Sequence, residues 1–165
     1  MKTATATQEE ISKRVGRFAS LKPLQAGQDT SVPSEARDLI YSRSLLPVIT
    51  LEDDGETPLA TGAPIKGAAG MTMTWAVIPP GSGPALHSHN QTFETFTVVK
   101  GQVEFRCGEC GDDRFILEPF DVFSLPPGIS RAFMNVGKED AIVQVLITGG
   151  KHDNERYNIF CRHHE

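Results

Sequence analysis

The run GSGPALHSHNQTFETFTVVKG occupies residues 81–101. Within it His87 and His89 stand two apart, so a strand over this stretch projects both imidazoles from one face. Asn90-Gln91-Thr92 can make a turn, and a returning strand from Phe93 brings Glu94 alongside the histidines. Local hairpin geometry therefore predicts that two imidazoles and one carboxylate converge. That donor set suits Fe(II), Mn, Ni, Cu or Zn, with coordination positions left for water, oxygen or substrate. On the His-x-His pattern alone, a bland reading does equally well: two strand-end histidines and a glutamate paired with a nearby base.

Working outward, the chain reads in period two from Met71. Met71, Met73, Trp75 and Val77 share one face of a strand, and Thr72, Thr74 and Ala76 the other. Turn residues then recur at Pro79-Pro80-Gly81, Lys100-Gly101, 108–113, Pro126-Pro127-Gly128 and 137–140. Between them lie β-rich runs at about 85–89, 93–99, 102–107, 114–117, 121–125, 131–135 and 141–148, which predict an all-β antiparallel sandwich or barrel. Residues 45–51 (LLPVITL) form a further extended segment, followed by an acidic turn at Asp53-Asp54-Gly55-Glu56. Upstream, Thr7-Gln8-Glu9-Glu10 has the form of a capping box. Ile11, Val15, Phe18 and Leu21 follow at helical spacing, predicting a helix over about 8–20. Residues 22–34 read as a loop, and Ser34-Glu35-Ala36-Arg37 could open a second short helix. The expected organisation is an N-terminal extension at 1–44, a barrel at 45–150 and a tail at 151–165.

With 165 residues the chain has room for one ordinary domain, and its net charge of −5 argues against a surface built for nucleic acid or anionic lipid. The longest apolar runs, such as Ala141 to Ile147, fall far short of the roughly 20 residues that span a bilayer. The N-terminal MKTATATQEEISKRVGRF has no apolar core of a secretory signal, so a cytoplasmic location is expected. Three cysteines are an odd number and too few for a disulfide framework, and free thiols are the expectation. Cys107 and Cys110 have C-x-x-C spacing in a Gly-rich turn with no second pair. A zinc site there would need Cys161 and a tail histidine as well, so two ordinary thiols are the simpler reading. His163-His164 reads as a frayed terminus. No phosphate-binding loop or nucleophile elbow is apparent.

Gly81, His87, His89, Glu94 and Gly101 fit the spacing G-x5-H-x-H-x4-E-x6-G, the first motif of the cupin superfamily, which the chain resembles over about residues 71–148. The stretch 120–135 resembles the second motif, G-x5-P-x-G-x2-H-x3-N, through Pro126, Gly128 and Asn135. Phe120 replaces its glycine and Arg131 its histidine. The resemblance implies a small β-barrel of the jelly-roll type with a divalent metal inside, and a homodimer formed through strands outside the barrel. It covers dioxygenases, isomerases, lyases and decarboxylases.

Arg131 has no lone pair to offer and is not a ligand in this reading. Three arrangements follow. The metal sits on His87, His89 and Glu94 while Arg131 anchors a substrate carboxylate or enolate. Alternatively Arg131 pairs with Glu94, metal binding is weak or absent, and the barrel holds an anion. In the third, His152, His163 or His164 completes the shell. Parity places Phe96 and Val98 on the face of Glu94, and Phe133 and Asn135 on that of Arg131, as pocket-lining residues. Met71, Met73 and Trp75 either join that wall or are plain core. The functional expectation is a metal-dependent enzyme, dioxygenase-like with Fe(II) as first choice, acting on a small carboxylated or enolisable molecule. The rival expectations are a non-catalytic cupin that binds a small anionic ligand and an inert interaction scaffold.

Overall fold

The computed structural model describes residues 6–24, 44–51, 62–67, 70–149 and 156–157. Among the described residues eleven strands follow in chain order: β1 Ser44–Thr50, β2 Ile65–Lys66, β3 Met71–Ile78, β4 His87–Ser88, β5 Phe93–Lys100, β6 Val103–Cys107, β7 Asp113–Leu117, β8 Val122–Leu125, β9 Arg131–Asn135, β10 Ala141–Thr148 and β11 Arg156–Tyr157. They form a larger sheet in the order β2-β1-β3-β10-β5-β8 and a smaller one in the order β11-β4-β9-β6-β7. All pairings are antiparallel except β1 with β2. The expected strands at 131–135 and 141–148 match β9 and β10 residue for residue.

Alternation decides what fills the space between the sheets. In the larger sheet, register aligns Thr72, Ile147, Glu94 and Leu125 in one row, then Thr74, Val145, Phe96 and Phe123 in the next. The smaller sheet answers with a row of His87, Arg131, Cys107 and Asp113, then one of Phe133, Phe105 and Phe115. One end of the interior is therefore polar, and the layer beneath it is aromatic. Phe96, Phe105 and Phe133 meet with ring centroids 5.0–5.2 Å apart, and Phe123 packs on both Phe105 and Phe115. Beyond them, Ala76, Val98, Val103 and Val143 close the apolar core.

Of the two readings of the face of β3 that carries Met71, Met73 and Trp75, plain core away from the pocket holds for Met73 and Trp75. Thr72, Thr74, Ala76 and Ile78 point inward, whereas Met73 and Trp75 pack outside the larger sheet with Val48, Ile65, Leu21 and Leu146. The N-terminal segment causes this by covering the outer face. Phe18 lies edge-on to Trp75 at 6.4 Å, and the Leu24 amide donates to the Leu45 carbonyl at 2.8 Å. The long expected helix is also shorter, running only over Gln8–Ser12, with a single 3-10 turn at Phe18–Ser20. The capping box forms as read: the Glu10 amide donates to Thr7 Oγ1, and the Thr7 amide donates to Glu10 Oε2. Beyond the end of the helix, Gly16 lies against β1 so closely that a Cβ would stand 2.8 Å from Val48 Cγ1. The second helix at Ser34–Arg37 and the turn at Asp53–Glu56 lie outside the described residues.

Motif glycine Gly101 has φ +88, and a Cβ on it would approach the Ala141 Cβ to 2.9 Å, so turn and packing both require glycine there. Phe120, at the second motif's glycine position, adopts φ +77 with its ring 82% exposed. Among the described residues no helix is long and apolar enough to cross a membrane.

Candidate metal centre

His87 lies on β4 and Glu94 on β5, with His89 just after β4 in the connecting turn. The ligand atoms of the three lie within 4.8 Å of one another, and all three residues are buried. They converge by a different route from the one expected. β4 belongs to the smaller sheet and β5 to the larger, so the turn at 89–92 crosses the barrel rather than closing a hairpin. The convergence is an interior one, which is why the set is buried. His89 is fixed from the facing loop, its carbonyl accepting a hydrogen bond from the Gly128 amide at 2.7 Å.

The His87 Nδ1 lies 2.7 Å from the Ala85 carbonyl oxygen. A carbonyl only accepts, so Nδ1 donates, a hydrogen bond of the kind that orients a metal-binding imidazole. The His89 Nε2 is 3.5 Å from Glu94 Oε2, and the two imidazole rings sit edge to face at 5.4 Å. An ion bound to all three side chains needs donor atoms about 2.0–2.2 Å from it, a contraction that small side-chain rotations supply. The donor set therefore fits a divalent transition ion.

Arg131 is directly paired with His87 in the sheet and is 0% exposed. Its Nε donates to Glu94 Oε2 at 2.8 Å and its Nη1 to the Ile129 carbonyl at 2.9 Å. The Nη2 is equally close to Glu94 Oε2, at 2.8 Å, and completes a two-nitrogen ion pair with that oxygen. The expected substrate anchor is thus first of all the partner of Glu94, because a buried carboxylate needs a countercharge when no ion is bound.

Of the expected lining residues, Phe96 and Phe133 form the wall next to the polar row, their rings 5.2 Å apart. Val98 and Asn135 share the predicted faces but lie one row further away. Asn135 is a structural clamp: its Nδ2 donates to the carbonyls of Ile78 and Glu139, and its Oδ1 accepts from the Gly137 amide. Two lining residues escaped the sequence reading. Thr72 lies on the inward face of β3, in the row of Glu94. Cys107, read as a turn thiol, points inward at the end of β6 and pairs with Arg131 in the sheet. Burial holds the Cys107 thiol above its ordinary value, with Arg131 opposing the shift.

The expectation of free thiols holds for Cys107 but not for Cys110, which is disulfide-bonded to a partner outside the described residues. The two are separated by the end of the strand: Cys107 is buried as the last residue of β6, while Cys110 is exposed in the turn that follows and lines a groove with Arg106 and Met134. Among the described residues, His87, His89 and Glu94 are the single group of metal-ligating type. His152, His163 and His164 lie outside the described residues.

The cupin domain family profile matches residues 74–148. Three solved structures are similar. One is from the DMSP lyases RdDddP and RnDddQII, with TM-score 0.54, 17% identity, and 69% of this chain against 51% of that chain covered. The second is BH2720 of Bacillus halodurans, with TM-score 0.50, 14% identity and coverages of 56% and 72%. The third is the Cnp3 cupin domain of Schizosaccharomyces pombe, with TM-score 0.47, 17% identity and coverages of 52% and 61%. This chain thus spans about half of the lyase chain. No curated protein matches it in sequence. Residues 74–148 of this chain form a cupin domain.

Proposed function

We propose that the barrel binds one divalent transition metal through His87, His89 and Glu94 and acts as an enzyme on a small carboxylated or enolisable molecule. The observation that carries this reading is the buried convergence of the three donor atoms within 4.8 Å. When bound, such an ion supplies Lewis-acid or redox chemistry at coordination positions the protein leaves open. Arg131 neutralises Glu94, so a dication there keeps most of its charge uncompensated and favours an anionic ligand. Arg131, buried beside the site, is kept as the anchor of that anion through its guanidinium charge. Phe96 and Phe133 close the space beneath the site, limiting the size of the molecule and excluding water from that side.

The two-histidine, one-carboxylate composition supports a dioxygenase-type reaction with Fe(II) as first choice. A lyase is kept beside it, since a DMSP lyase shares the fold. The second reading, a metal-free binder of small anions, is favoured by the Arg131–Glu94 pair, which satisfies the carboxylate without metal. Metal analysis of tag-free protein separates the two. The metal reading requires about one equivalent, lost in His87→Ala and Glu94→Gln; a folded protein that takes up no metal refutes it.

A further inference from the structure

We propose that the Thr92 hydroxyl is a ligand-binding group of this centre, donating a hydrogen bond to an oxygen of the small carboxylate or enolate held there. This rests on the metal-centre reading above.

Thr92 lies inside the crossing turn, between His89 and Glu94. It is 0% exposed, and its Oγ1 has no hydrogen-bond partner among the described residues. Buried hydroxyls are nearly always partnered, and an orphaned one costs free energy that an isosteric valine would not. Alternation sets its direction: Phe93 is 47% exposed while Thr92, Glu94, Phe96 and Val98 are buried, so Thr92 shares the inward face of Glu94.

The register explains why the protein itself offers no partner. Thr148 opposes Phe93, so the next pair sets Gly149 beside Thr92, and glycine has no side chain to give. A ligand drawn by the dication is anionic, and an uncharged O–H donor can bind it without adding to the positive charge already present.

The test uses the full chain as wild type, Thr92→Val and Thr92→Ser, with cobalt(II) as probe metal and acetate as probe anion. Valine keeps the shape and removes the hydroxyl; serine keeps the hydroxyl. Cobalt uptake should be equal in all three. Thr92→Val should raise the Tm of the metal-free protein by about 2–6 °C and weaken acetate binding to the cobalt form, read from its visible spectrum, by about tenfold. Thr92→Ser should stay near wild type. A lowered Tm in Thr92→Val means that the hydroxyl has a structural partner and overturns the proposal, as does unchanged acetate affinity. Should wild type take up no cobalt, the metal-centre reading fails. Thr92 is then judged by the acetate-induced rise in Tm of metal-free protein: loss of that rise in Thr92→Val upholds the assignment, and its persistence rejects it.

Discussion

Replacing Arg131 by glutamine tests the charge balance of the centre directly. Arg131 and Glu94 touch through two nitrogens, each 2.8 Å from Oε2, and both side chains are buried. With charge centres about 4 Å apart at an effective dielectric constant of about 20, their attraction is about 4 kcal/mol. That agrees with the roughly 3–5 kcal/mol lost when one partner of a buried pair is removed. At about 2–4 °C per kcal/mol for a chain of this size, metal-free Arg131→Gln should melt about 8–16 °C below wild type. Metal should reverse much of this, because the dication replaces the lost countercharge and no longer meets a competing guanidinium. At 100 times its dissociation constant it contributes about 2.7 kcal/mol. Thermal denaturation with and without zinc should therefore show a larger metal-induced rise in Arg131→Gln than in wild type. Arg131→His, which restores the imidazole of the second cupin motif, should bind metal more tightly still. The reasoning fails if Arg131→Gln melts within about 2–3 °C of wild type, as a loss below about 1 kcal/mol would, or if zinc raises its Tm no more than that of wild type.

The backbone at Phe120 provides an independent check on the barrel. A left-handed φ costs a non-glycine residue about 1–2 kcal/mol, against about 0.5–1 kcal/mol of extra unfolded-state entropy for glycine. With the ring 82% exposed there is little burial to lose, so Phe120→Gly should raise Tm by a few degrees, and a fall would contradict the assigned turn. Cys107 gives a pH signature. Its thiol is held above the ordinary 9.0, so the folded state binds the proton more tightly than the unfolded one. Stability is then unaffected below that value and declines as pH rises above it towards the folded value. Tm followed from neutral to alkaline pH should show this decline in wild type and a shallower one in Cys107→Ala; identical slopes would place the thiol in solvent.

The fold was legible where sequence has a strict period. Strands β9 and β10 alternate cleanly because the barrel core buries every second residue and leaves those between them half-buried, and their limits could be read to the residue. Strand β3 left its inward face open because both of its faces are covered, one by the barrel interior and the other by the N-terminal segment, so hydrophobicity alone could not say which face was inside. The helix at the N-terminus was overextended for a related reason. Ile11, Val15 and Phe18 have helical spacing but are exposed, and without a buried face nothing beyond the capping box holds a helix together. At the site, the residue types and spacing were readable but the pairing was not. Arg131 and Glu94 are far apart in sequence, and only sheet register brings their rows face to face.

That pairing also weighs between the two readings of the centre. A buried Arg–Glu pair accounts for Glu94 and Arg131 without any metal, and the histidines would then be superfluous polar groups in an interior where apolar residues cost less. Yet His87 is more than tolerated. Its Nδ1–H donates to the Ala85 carbonyl, which fixes the ring with a ligand atom within 4.8 Å of those of His89 and Glu94. Two imidazoles held against one carboxylate make a donor set that suits a transition ion. Two of the protein's own cationic donors, Arg131 Nε and Nη2, crowd a single carboxylate oxygen, Oε2, and each is placed so that Glu94 Oε1 is not what they hold. A carboxylate steadied through one oxygen can still offer the other to an ion, so the arginine that replaces the fourth ligand orients the third rather than abolishing the site.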